Sequence, residues 1–213
     1  MFVLLIPLVT GGGGSKSPAI VVGGLAIGLL AGTLLGANAC ALRARRDRMG
    51  ELFGSLVAPP ETRTTAILLA VLAGPVCVAI VLAAVAYPVL HADTDLRPYF
   101  GVAVLAQFPL TAAALGAFGV TLARWIPHPA TAAVTLVAQV MGGIIWVIPW
   151  IAPEQSGIRM GWHYSYLLSG IAFWALLALV RDRRRPAMVA ATGLAVMLTV
   201  VCALFQVPPG GLG

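Results

Sequence analysis

The sequence predicts an all-α, polytopic membrane helix bundle of about six complete spans, and three observations predict it. Charged residues make up 9% of the 213-residue chain while hydrophobic residues make up 60%. A soluble domain carries about a quarter charged residues to cover its surface, so this chain cannot build a water-facing shell. Six apolar runs long enough to cross a hydrocarbon core contain no Asp, Glu, Lys or Arg in their interiors. The arginines lie between those runs, chiefly in the clusters Arg43 to Arg48 and Arg181 to Arg185.

Met1 to Val9 is apolar but too short to span, and no basic stretch precedes it, so a signal peptide fits poorly. It reads as a leader or as the tail of a span whose beginning has been lost. Gly11 to Ser17 (GGGGSKS) reads as a flexible loop. Residues 1–17 thus stand apart from a single transmembrane domain over residues 18–207, and residues 208–213 form a short tail. The GGGGSKS loop is not a phosphate cradle. Ser15 rather than glycine precedes Lys16, and a membrane span follows.

The predicted spans are Pro18 to Leu42, Thr65 to Leu90, Tyr99 to Ala123, Pro129 to Ile151, Tyr164 to Val180 and Ala187 to Val207. Each must satisfy its own backbone hydrogen bonds in lipid, which makes them helices; the alternation of a barrel strand is missing. If the loop after the first span is cytoplasmic, ten arginines fall inside and only Lys16, Arg97 and Arg159 fall outside. That bias follows the positive-inside rule and places both ends of the bundle outside. Tyr87, Tyr99, Trp146, Trp150, Trp162 and Tyr164 then mark the outer boundary, with Trp125 at the inner one.

Gly24, Gly28, Gly32 and Gly36 recur every four residues along the first span and form one helix-packing stripe. The expected use is tight packing within the subunit; the alternative is a moving or dimeric interface. Pro75 and Pro109 fall inside spans and predict kinks. Asn38, Gln107, Thr111 and Gln139 are the notable polar residues at depth, candidates to line a substrate path or to bond between helices, with Gln107, Thr111 and Gln139 the path-lining candidates.

Several functions are excluded or disfavoured. The net charge of +6 comes from arginines beside spans, without the basic and aromatic platform of a nucleic-acid binder. The histidines do not converge, and HExxH, GxSxG and paired carboxylates are absent, so no catalytic residue is assigned. Cys40, Cys77 and Cys202 show neither metal-type spacing nor an even disulfide framework, so no metal or cofactor is expected. No Asp, Glu, Lys, Arg or His lies within a predicted span to carry a coupling ion, so energy for any uphill transport is expected to come from elsewhere.

The stretch from Arg43 to Thr65 (RARRDRMGELFGSLVAPPETRTT) is the most informative. Met49, Leu52, Phe53, Leu56 and Val57 recur at helical spacing and predict a short amphipathic helix over residues 46–57. Pro59 and Pro60 stop it, and Glu61 to Thr64 open the next span. On its own such a helix reads as lying in the headgroup layer.

The string also resembles the first cytoplasmic loop of the ABC-2-type transporter permeases. The matching residues are Arg45, Arg46, Gly50, Glu51, Leu52, Leu56, Pro59 and Arg63. The inner loop Arg124 to Pro129 (RWIPHP) is similar to that family's second inner turn. The resemblance implies a coupling helix that docks on a separate ATPase subunit through Met49, Glu51, Leu52, Phe53 and Leu56. It further implies a membrane-spanning subunit of an exporter in the plasma membrane, paired with a second permease or a second copy of itself. Such a chain is not itself an enzyme. The Ala-, Gly- and Arg-rich composition with one lysine points to a bacterial source. The alternatives are a secondary transporter or small-molecule efflux protein, and a non-transporting membrane scaffold.

Overall fold

The computed structural model describes residues 17–46, 60–81, 83–84, 87–92, 102–141, 159–182 and 184–206. Eight α-helices lie within them: α1 (Ser17–Arg46), α2 (Pro60–Val71), α3 (Ala73–Val81), α4 (Tyr87–Ala92), α5 (Val102–Trp125), α6 (Thr131–Met141), α7 (Met160–Asp182) and α8 (Pro186–Gln206). No strand occurs among the described residues. Four stretches are long and apolar enough to cross a membrane: Glu61–Val81, Leu105–Trp125, Met160–Asp182 and Pro186–Gln206. A bilayer core of about 30 Å needs about 20 helical residues, and each of these supplies at least that. The predicted amphipathic helix over residues 46–57 lies almost wholly outside the described residues, as does the second half of the predicted span from Pro129 to Ile151.

Local chemistry explains where the helices start and stop. Ser17 and Pro18 open α1, and Pro60 opens α2 with Glu61 in its first turn. Proline is at home in a first turn, and an acid there complements the positive end of the helix dipole. Arg43 to Arg46 close α1, Arg124 lies in the last turn of α5 and Arg181 in that of α7. Cations at these ends offset the partial negative charge of unpaired carbonyls.

Where Pro75 predicts a kink the helix is interrupted, about one turn upstream of the proline. Pro75 has no N–H to give the carbonyl of Val71, and the α2–α3 stretch breaks at Leu72. There Leu72 N donates to Leu69 O at 3.1 Å, the tighter three-residue pattern, before Val76 N resumes the α ladder to Leu72 O at 3.3 Å. Pro109 sits inside α5, which stays one unbroken helix of 24 residues.

α5 is the hub. It packs on α1, α3 and α7, while α8 packs on α7 as an antiparallel hairpin. Small residues allow the close approach: Ala37, Ala41, Val120, Ala123 and Ala178 form a buried cluster, with Leu42, Ile67, Leu68 and Val71 packed around it. Gly119 is the tightest point. A Cβ there would lie 2.6 Å from Leu34 O and 3.2 Å from Ala37 Cβ, so only a glycine lets α5 meet the α1 backbone. α8 carries Val189, Leu194, Val196, Met197, Leu198, Val200, Leu204 and Phe205 exposed. So much apolar surface on one helix needs hydrocarbon or a partner rather than water.

Candidate functional site

Asn38 and Thr121 bind the hub across helices. The buried Asn38 amide donates from Nδ2 to Gly119 O at 3.1 Å. The buried Thr121 hydroxyl donates to its own helix at Ala117 O (3.0 Å) and reaches Trp174 O of α7 (2.7 Å). Asn38 therefore links helices, one of the roles expected for it, whereas Thr121 looks like a neutral helix residue in sequence and carried no signal.

A second group of contacts gathers at the end where α1, α5 and α7 finish and α2 begins. Thr64 Oγ1 of α2 donates to Asp182 Oδ2 of α7. Asp182 Oδ1 also faces Arg124 Nη1 of α5 at 3.6 Å, with both side chains largely buried. Beside them Arg185 Nη2 donates to Glu61 Oε1 at 3.0 Å. Trp125 Nε1 donates to Leu177 O at 3.1 Å, and the Arg181 guanidinium stands 5.7 Å from the Trp125 ring centroid, a cation–π distance.

One carboxylate thus holds three helices. An acid at a helix C-terminus opposes the dipole, and the contacts with Thr64 and Arg124 offset that. The sequence count of cations by loop identifies this end as basic. It does not reveal that Asp182, in the run Arg181 to Arg185, is the acid that ties those helices.

Above this charged end, a groove of about 410 Å³ runs between α1 and the α2–α3 stretch. Gly28, Gly32, Gly36 and Cys40 line one wall, and Ala70, Gly74, Cys77 and Val78 the other. Gly28, Gly32 and Gly36 of the stripe therefore face this groove. A Cβ added at Gly28, Gly32 or Gly36 would meet nothing within 4 Å among the described residues. Close helix approach falls instead to Gly119, to Gly116, where an added Cβ would lie 2.4 Å from Val71 Cγ1, and to Gly74, where it would lie 3.0 Å from Thr33 Cγ2. Gly24 lies one turn earlier on the same helix.

The candidate path residues are spread out. Gln107 on α5 is buried, at 2% exposure. The Thr111 hydroxyl donates to Gln107 O within the same helix at 2.9 Å. Gln139 belongs to α6, and its side chain lies outside the described residues. Met49, Glu51, Leu52, Phe53 and Leu56, the coupling candidates, also lie outside them.

At the opposite end the α7–α8 hairpin closes with its own set. Arg159 N donates to Gln206 O at 3.0 Å, and His163 Nδ1 lies 3.2 Å from Gln206 Oε1. Trp162 stacks on Phe205 at 5.2 Å. His163 is 1% exposed in the first turn of α7, which starts four residues before the predicted span. No group of three His, Cys, Asp or Glu suited to a metal occurs among the described residues.

Comparison of the chain with protein-family models, with curated proteins and with solved structures finds no match.

Proposed function

We propose that the chain is the membrane-spanning permease subunit of an ABC-2-like export complex, driven by a separate ATPase subunit. The observation that carries this reading is how the charged end is wired. The described part of α1 reaches Arg46 and that of α2 begins at Pro60, on either side of the Met49 to Val57 stretch in sequence. The first turns of α2 are bound to α7 through Thr64 and Asp182 and to the α7–α8 turn through Glu61 and Arg185. Asp182 in turn faces Arg124 of the hub helix α5.

A load applied to the stretch before Pro60 is therefore delivered to the centre of the bundle and not only to its nearest helix. A permease needs such a connection if hydrolysis on a partner is to shift the population between inward-open and outward-open arrangements. The chain contributes leverage, and the partner contributes the chemistry. A second membrane half, another permease or a second copy, completes the complex in this reading, within the plasma membrane of a bacterial cell.

The test is coupling. Leu52→Asp and Phe53→Asp place a charge on the apolar face that would meet the ATPase. Both should leave the bundle folded while removing the stimulation of partner ATPase activity and the export that depends on it. Normal export by these variants defeats the reading. Repeated purification from native membranes with no ATP-hydrolysing companion also defeats it, and leaves the scaffold alternative in place.

A further inference from the structure

At the end opposite the Asp182 tie, two buried side chains have hydrogen-bonding atoms without a partner among the described residues. Neither Gln107 Oε1 nor Gln107 Nε2 has a hydrogen-bond partner among the described residues, and the same holds for His163 Nε2. Gln107 is 2% exposed and His163 1% exposed. An unsatisfied buried polar group costs about 1–3 kcal/mol, so an amide and an imidazole nitrogen with no partner among the described residues both invite an occupant.

The packing register places the two at neighbouring levels of α5 and α7. α5 and α7 run parallel, fixed by Thr121 on Trp174 O and Trp125 on Leu177 O, offsets of 53 and 52 residues. At that offset Gln107 stands level with Met160, one turn or about 4.5 Å of helix rise from His163. Gln107 precedes Thr121 by four turns of about 3.5 residues, which leaves it on the α7-facing stripe of α5. His163 precedes Trp174 by about three turns, on the stripe of α7 that carries the α5 contacts.

The chemistry of the two ends is complementary. Gln206 presents its carbonyl oxygen to His163 Nδ1, so Nδ1 carries the proton and Nε2 offers a lone pair. Gln107 offers amide N–H groups and one carbonyl oxygen. A hydroxyl fits this pair, because it donates its proton to His163 Nε2 and accepts from Gln107 Nε2. Two hydrogen bonds of about 2.9 Å let one oxygen bridge a gap of about 5–6 Å. A charged ligand does not fit, since neither side chain supplies a counter-charge in a site removed from water.

We propose that Gln107 and His163 form a two-point binding site for a single hydroxyl group between α5 and α7, with Gln206 of α8 fixing the imidazole. The hydroxyl is that of a resident water or of an alcohol-bearing molecule that enters the bundle. The site stands independently of the ATPase-coupling reading.

The test uses the whole chain, labelled with ¹⁵N-histidine and reconstituted in phospholipid bilayers, observed by solid-state NMR. Transfer of polarisation from water protons to His163 Nε2 is expected, with Nδ1 protonated. Gln107→Leu should abolish the transfer to Nε2 while the Nδ1 signal, which reports the Gln206 contact and an intact hairpin, stays in place. 1-Propanol labelled with ¹³C at its carbinol carbon then separates the sources. A dipolar contact from that carbon to His163 Nε2 identifies an alcohol-accepting site, its absence with the water transfer retained identifies a bound water, and either supports the proposal. A wild-type Nε2 with no water transfer and no response to the alcohol overturns it. Transfer that survives Gln107→Leu overturns it equally.

Discussion

Two glycine-to-alanine substitutions, at Gly119 and at Gly32, should move stability in opposite directions, although in the sequence it is Gly32 that belongs to the packing stripe. At Gly119 the new Cβ would sit 2.6 Å from the Leu34 carbonyl oxygen, 3.2 Å from Ala37 Cβ and 3.3 Å from Asn38 N. Two of those atoms are backbone, so α1 and α5 must separate to admit the methyl group. Overpacking of this kind costs about 1–3 kcal/mol. Separation also stretches the buried 3.1 Å bond from Asn38 Nδ2 to Gly119 O. Loss of that bond adds about 1 kcal/mol.

Gly119→Ala should therefore destabilise the fold by about 2–4 kcal/mol. At Gly32 nothing lies within 4 Å of the added carbon among the described residues. Gly32→Ala then loses no packing and gains the helix preference of alanine over glycine, about 0.5–1 kcal/mol of stabilisation. The assay is reversible unfolding of the purified chain in bicelles by steric trapping, with helix content checked by circular dichroism. Equal effects of the two substitutions, or a Gly119→Ala variant within about 0.5 kcal/mol of the parent, would refute the close α1–α5 approach.

Asp182→Asn should cost about 2–3 kcal/mol, since it removes the charge that faces the largely buried Arg124 and weakens the bond from Thr64. Arg185→Gln breaks a pair whose arginine side chain is 52% exposed, and should cost less than about 1 kcal/mol. The same unfolding assay compares them, and a larger loss from Arg185→Gln counts against the Asp182 tie. Cys40 and Cys77 line the groove and are exposed, whereas Cys202 is buried. In detergent, N-ethylmaleimide should modify the first two thiols well before the third, as read by mass spectrometry of timed aliquots; faster reaction at Cys202 would contradict the packing of α8 on α7.

Much of the fold class was legible in the sequence because the membrane imposes it locally. Charge-free runs of span length must be helices, wherever they come to lie, since hydrocarbon offers no other partner for their backbone groups. The kink in the second predicted span could be read from Pro75 for the same local reason. The gathering of arginines at one end of the helices was also visible, because it depends only on which segments they separate.

What only the tertiary structure decided is which of several equivalent residues meet. A glycine stripe is written into α1, but whether Gly32 or Gly119 touches a neighbour depends on the rotation and register of whole helices. The tie formed by Asp182 joins α7 to Thr64 of α2 and faces Arg124 of α5, with partners 118 and 58 positions away in the chain. The pairing of His163 with Gln206 likewise spans 43 positions and exists because α7 and α8 close as a hairpin. Contacts of this range follow from how rigid rods pack around α5. Sequence periodicity fixes the face of each rod, and packing alone fixes which faces are brought together.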